Sequence, residues 1–253
     1  MKKILITVVS AVLMLGPLSV LAQDEAAEPN WTPVETFTCN FLEGKGPADL
    51  NAVIKDWNAW WDERGLNTYF AATITPYYFG EKTFDIGWLG AWNDANEMGS
   101  SLDIWTTEGS EKSATFFDVI ECMTHTNFAS LNVKAPGGTA PDTMLLTFSD
   151  CSIKEGKTFE DFMAAQEAWN AHADEAGFET GEWIMFPVAG GGDVDYDFKH
   201  VTSEANHTAA GANWQLYADG HYGKSNELYG EVMECDSPRV YSATVARKMK
   251  NED

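Results

Sequence analysis

Three side chains stand where they could do chemistry: His172, His200 and Asp150. The chain uses one pattern twice, 112 residues apart, and these three mark places where the copies disagree. His172 replaces Trp60 on an apolar helix stripe, and Gln166 replaces Ile54 on the same stripe. His200 aligns with Trp88, and Asp150 with Thr38. An imidazole in place of an indole can act as an axial ligand or a general base, because it exchanges its proton near neutral pH. A carboxylate facing a semi-enclosed cavity has a shifted proton affinity. The simpler alternatives are a hydrogen-bonded core histidine and a solvated cavity mouth.

Other residues are read beside these. Tyr77, Tyr78, Trp88, Trp92 and Tyr196 could line an apolar ligand pocket. Asp193, Asp195 and Asp197, with Glu204 at the twelfth position, imitate part of a calcium loop. Phe198 stands where that loop needs glycine, so no metal site is expected. Gly190-Gly191-Gly192 lacks the helix and the Lys-Ser/Thr pair of a phosphate loop. Asp62-Glu63 and Asp174-Glu175 read as surface charges. Asn58 and Asn170 read as caps or inter-helix hydrogen bonds.

The elements that must position these residues come from the duplication. Cys39–Gly65 and Cys151–Gly177 align without a gap over 27 positions, 12 of them identical. In the first copy Phe37, Cys39 and Phe41 alternate on one face of a strand. Pro47 opens a helix, Leu50, Ile54, Trp57, Trp60 and Trp61 form its apolar stripe, and Gly65 ends it. Strands follow near 68–78 and 83–89, then a helical stretch from 93 to 121 broken near Gly109, then a strand near 126–133. In the second copy strands fall near 183–188 and 240–246, Ala205-Asn206 matches Ala95-Asn96, and Val232–Cys235 matches Val119–Cys122. The order strand, helix, strand, strand, helix, strand is the ferredoxin-like plan. Its first and fourth strands are neighbours, which predicts the disulfides Cys39–Cys122 and Cys151–Cys235, one per repeat. The expected division is 1–22 signal peptide, 23–33 leader, 34–133 first repeat, 134–143 linker, 144–249 second repeat and 250–253 tail.

A ferredoxin-like sheet has one face free, and two such sheets can close on each other. With the duplication and the aromatic runs Gly87-Trp88-Leu89-Gly90-Ala91-Trp92 and Leu102-Asp103-Ile104-Trp105, the chain resembles the dimeric α+β barrel superfamily, here as an intrachain pair. The resemblance implies an α+β barrel of two ferredoxin-like βαββαβ repeats. Members include haem-binding and haem-degrading proteins and cofactor-free monooxygenases, so the fold does not choose among them.

The amino terminus carries Lys2 and Lys3, an apolar run from Ile4 to Val20 and Val20-Leu21-Ala22, the pattern of a signal peptide. Export to a bacterial periplasm or medium is the expectation, and it suits four cysteines paired as disulfides. No other run could span a bilayer. A formal net charge of −23 argues against nucleic acid as a partner. The expected function is binding of a small apolar ligand between the sheets, with no cofactor predicted and haem as the minor alternative. The alternatives are a barrel enzyme using a repeat-two histidine and a surface or assembly protein. Oligomeric state is left open. An interior cavity of roughly 300 Å³ or more favours ligand binding, whereas a solid interior favours assembly.

Overall fold

The computed structural model describes residues 31–137 and 141–250, so the expected signal peptide lies outside the described residues. The first repeat runs β1 (Trp31–Phe41), α1 (Pro47–Glu63), β2 (Tyr69–Tyr78), β3 (Ile86–Trp92), α2 (Ala95–Glu108), α3 (Ser110–Phe117) and β4 (Ile120–Lys134). The second runs β5 (Thr143–Ile153), α4 (Phe159–Ala176), β6 (Gly181–Ala189), β7 (Phe198–Glu204), α5 (His207–Leu216), α6 (Tyr222–Tyr229), β8 (Met233–Cys235) and β9 (Arg239–Arg247). A π-turn at Tyr217–His221 joins α5 to α6, and Gly220 there adopts φ 126°, open to glycine at little cost.

Local chemistry sets the helix ends. Gly46 N–H donates to the Asp49 carboxylate that follows Pro47 at the start of α1. Thr158 and Asp161 cap α4 reciprocally. Both helices bury the apolar stripe expected from spacing, with Gln166 buried on that of α4. The caps of α2 and α5 are Asp94 and Asn206, each accepting from two backbone N–H groups. They align at the offset of 112, so the Ala-Asn match suggested by sequence is two residues out of register.

All strand pairings are antiparallel. The first sheet is ordered β4-β1-β3-β2 and the second β9-β5-β7-β6. Edge strands then join, β2 to β9 and β4 to β6, and eight strands close into a barrel with β8 appended to β5. The α+β barrel expected from sequence is thus formed, with the sheets joined edge to edge. Alternation along each strand sends one set of side chains to the helices and the other inward. Cys39 packs with Leu50 and Ile54 of α1, and Cys151 with Phe162 and Trp169 of α4. Val34, Phe128, Leu146, Phe148, Met185 and Val201 meet inside the barrel.

Both expected disulfides are present, Cys39–Cys122 and Cys151–Cys235. β4 begins at Ile120, earlier than the sequence pattern indicates, and so brings Cys122 directly opposite Cys39. Closing loops of 83 and 84 residues contributes about 4 kcal/mol each by the chain-entropy account.

The repeated Trp-Asn-Ala stretch holds the two halves together. Asn58 Nδ2 on α1 donates to the carbonyl of Ala246 in β9, at 2.7 Å. Its counterpart Asn170 on α4 donates to the carbonyl of Val133 in β4, at 2.6 Å. Each repeat therefore grips the last strand of the other. The repeated acids complete the grip: Asp62 pairs with the buried Arg247, and Asp174 with Lys134. Asp62 and Asp174 are surface charges, as their position at a helix end suggests, and the barrel closure places a cation of the opposite repeat beside each. Among the described residues no helix is long and apolar enough to cross a membrane.

Candidate functional site

Among the described residues, three of the pockets are candidates for a ligand. One is the barrel interior, about 590 Å³, lined by inward residues of β1 to β7 including Val34, Phe70, Leu89, Leu146, Met185 and Val201. The others lie between each half of the barrel wall and its helices. The repeat-one pocket is about 190 Å³ and the repeat-two pocket about 300 Å³.

The barrel cavity is apolar for most of its wall, with Ser130 and Ser203 among its buried polar residues. Its ionisable lining residues are Glu179 and Glu204. Glu204 ends β7 and borders both the barrel cavity and the repeat-two pocket. Burial raises its carboxyl to about 7, and the neighbouring Glu182 charge pushes the same way. A carboxyl with that proton affinity can give or take a proton near neutral pH. From sequence, Glu204 stood out only as the twelfth position of the calcium-like run. The missed signal was its alignment, at the offset of 112, with the buried Trp92.

Repeat two carries a buried polar network behind that pocket. Glu182 is 3% exposed and occupies the strand position of Ala71 in repeat one. Gln166 Nε2 donates to its Oε2 at 2.9 Å, and Thr180 Oγ1 donates to its Oε1 at 3.1 Å. His200 Nε2 lies 3.2 Å from Oε2. Tyr229 Oη donates to Gln166 Oε1 at 2.8 Å. Burial alone would raise the Glu182 carboxyl, yet the bonds and charge supplied by His200, with Gln166 and Thr180, hold it below the usual value. Burial, reinforced by Glu182, pushes the Tyr229 phenol well up.

Repeat one builds a different carboxylate. Glu35 on β1 is 8% exposed. Tyr69 Oη donates to its Oε1 at 2.6 Å, Trp88 Nε1 donates to Tyr69 Oη at 2.8 Å, and His125 Nε2 lies 2.8 Å from Oε2. His125 also stacks on Phe37, with ring centroids 3.7 Å apart. The Tyr69 ring reaches Glu35 across β3 only because residue 90 is glycine: a Cβ there would fall 1.9 Å from Tyr69 Oη. Burial, then the Glu35 charge, drives the Tyr69 phenol well above its ordinary value.

The residues singled out by sequence do not converge on one place. His200 lines the repeat-two pocket. His172 is half-buried and bonded to His221, Nε2 to Nδ1 at 2.8 Å, outside that lining. Asp150 lies beyond Phe148 on β5 and is paired with Lys199 and Arg239. It is therefore a neutralised carboxylate rather than a lone acid in a cavity. Tyr77 and Tyr78 end β2 and are 46% and 64% exposed. Trp88 and Trp92 line the repeat-one pocket, not the barrel interior. Tyr196 precedes β7 and lies under the Lys199 ammonium, 4.2 Å from its ring centroid. In the calcium-like run, Asp197 accepts from the backbone N–H of Ile153, and Phe198 starts β7.

No protein-family model and no curated protein matches the chain. Solved structures do. A putative monooxygenase from Fusobacterium nucleatum is 8% identical, with TM-score 0.56, covering 88% of this chain and 96% of its own. A chlorite dismutase mutant from Candidatus Nitrospira defluvii is 7% identical, with TM-score 0.51, covering 86% and 92%. An anthrone oxidase-like protein is 10% identical, with TM-score 0.51, covering 86% and 92%. At these identities the likeness shows the fold alone, an α+β barrel. It also corrects the expectation of no cofactor. Chlorite dismutases recur among these structures, and the superfamily resembled includes haem-binding members, so haem becomes the cofactor to weigh.

Haem requires an axial donor facing a wide slot and donors for its two propionates. The barrel cavity has the volume, but its described lining holds no His, Lys or Arg. The repeat-two pocket has His200, but its Nε2 faces Glu182, and two carboxylates line the pocket with no Lys or Arg. The repeat-one pocket has His125, but its Nε2 faces Glu35, and no Lys or Arg lines it. The residues as placed in these three pockets do not fit haem.

Proposed function

We propose that the protein is an exported barrel that binds a small, mostly apolar ligand in its interior. The observation that carries this reading is the cavity of about 590 Å³ enclosed by inward residues of both repeats. Its volume falls within the range of small-molecule sites, and its apolar wall with a few polar groups has their usual character. The two disulfides and the amino-terminal segment support export. Titration with an apolar fluorescent probe tests the binding reading. Leu89→Trp fills the cavity from β3, so probe affinity should fall roughly tenfold while melting temperature changes little. Equal affinity in the variant, or no saturable binding by the parent protein, rules the reading out.

A second reading, a barrel enzyme, is favoured by the placement of Glu204 between the barrel cavity and the His200 pocket. Glu204 would then move a proton on the bound molecule. Haemin titration of the parent protein and His200→Ala separates the haem-linked form of this reading. A Soret band that depends on His200 supports it, and a spectrum that His200→Ala leaves unchanged counts against it.

A further inference from the structure

The repeat-one pocket is distinct from the barrel cavity and has a different chemistry. Five of the chain's ten tryptophans, Trp57, Trp61, Trp88, Trp92 and Trp105, stand around about 190 Å³ of open space. Phe37, Tyr69, Phe116 and Phe117 complete an aromatic wall. Glu35 is the one carboxylate in the lining, and His125 the one other charged or chargeable group besides the Tyr69 phenol. Trp61 Nε1 is buried without a hydrogen-bond partner. Phe117, 61% exposed, stands at the open side.

Aromatic faces and a buried carboxylate together select positive charge. Outside the pocket lining, two cations already stack on tryptophans of the same helix: the Arg64 guanidinium carbon lies 3.9 Å from the Trp60 ring centroid and that of Arg247 lies 5.7 Å from that of Trp61. We infer that the repeat-one pocket is a binding site for a small organic cation, of the quaternary or methylated ammonium class, held between tryptophan faces with Glu35 as counter-charge. The repeat-two pocket has a different lining. There Trp61, Trp88 and Trp92 are replaced by Ala173, His200 and Glu204, and Thr147 stands at the position of Glu35.

Choline and its neutral isostere 3,3-dimethylbutanol test the inference on the full chain, by tryptophan fluorescence and calorimetry. Choline should bind saturably and at least about fivefold more tightly than the isostere. Glu35→Gln should abolish most of that discrimination. Phe117→Ala, at an exposed site with little bearing on folding, should weaken choline about two- to fivefold. Leu89→Trp, which fills the barrel interior, should leave choline binding unchanged, so failure of the barrel reading and failure of this one are told apart. Absence of saturable choline binding, equal affinity for the isostere, or choline binding indifferent to Phe117→Ala overturns the inference.

Discussion

Repeat one fills the layer between its sheet and helices with indole rings; repeat two fills the same layer with a hydrogen-bonded polar network. The backbone positions correspond. Ile54 becomes Gln166, Trp88 becomes His200, and Trp92 becomes Glu204. Ala71, under the rings of α1, becomes Glu182. Each half buries one carboxylate on its helix-facing side, but on different strands, β1 in the first and β6 in the second. Glu35 has a tyrosine and a histidine as partners, whereas Glu182 has a glutamine, a threonine and a histidine. The difference teaches that duplication preserved the frame and released the layer inside it. A buried polar network constrains its members more than aromatic packing does, because every member must find a partner.

The sharpest way to break this comparison is to remove each acid. Glu182→Leu leaves Gln166, Thr180 and His200 without their common acceptor and should cost about 3–5 kcal/mol in urea unfolding. Glu35→Leu removes an acceptor from Tyr69 and His125 only, and should cost about 1–3 kcal/mol. Equal losses would erase the asymmetry drawn between the halves.

The reciprocal grip gives a symmetric counterpart. Asn58→Ala and Asn170→Ala should each cost about 1–3 kcal/mol, similar to each other, since each removes a bond to the opposite repeat's last strand. Their partners are separate, so the double variant should lose the sum to within a few tenths of a kcal/mol. A markedly smaller loss for one of them would show that the two closures are unequal.

The last effect is a pH dependence confined to repeat two. Glu204 binds its proton more tightly folded than unfolded, so its contribution is fully present below about pH 4.5 and is lost as pH rises through about 7. Discounted for its partial exposure, the change is about 1–3 kcal/mol. Glu182 runs the other way: its carboxyl is held below the usual value, so its contribution is lost as pH falls through that lowered pKa. Glu204→Gln should flatten the stability curve between about pH 4.5 and 7. An unchanged slope would show that Glu204 is solvated like an ordinary surface acid.

The ferredoxin-like order and both disulfides were legible because they rest on period, spacing and the repeated cysteines, all of which are local. The same is true of the helix stripes. The barrel site was less legible. Tyr77 and Tyr78 looked like pocket residues by type, yet they lie past the last inward turn of β2 and are exposed. Asp150 looked isolated because Lys199 and Arg239, which neutralise it, come from strands distant in sequence. Glu204 was passed over because nothing near it in sequence reveals that Glu182 lies close by and that two cavities meet at its side chain.

By itself the sequence determined that the chain is a duplication, that each copy has a strand carrying a cysteine and a helix carrying a tryptophan stripe, and that the copies diverge at Trp60 and His172 and at Thr38 and Asp150. Those facts follow from residue type and spacing, which act over a few turns or strand residues. Only the tertiary structure decided that Asn58 and Asn170 reach into each other's repeats, that five tryptophans surround an open pocket, and that Glu182 and Glu204 share one buried region. Those are contacts between strands and helices far apart in the chain, and they exist only once edge pairing closes the barrel and burial gives a single charge the reach to act on its neighbours.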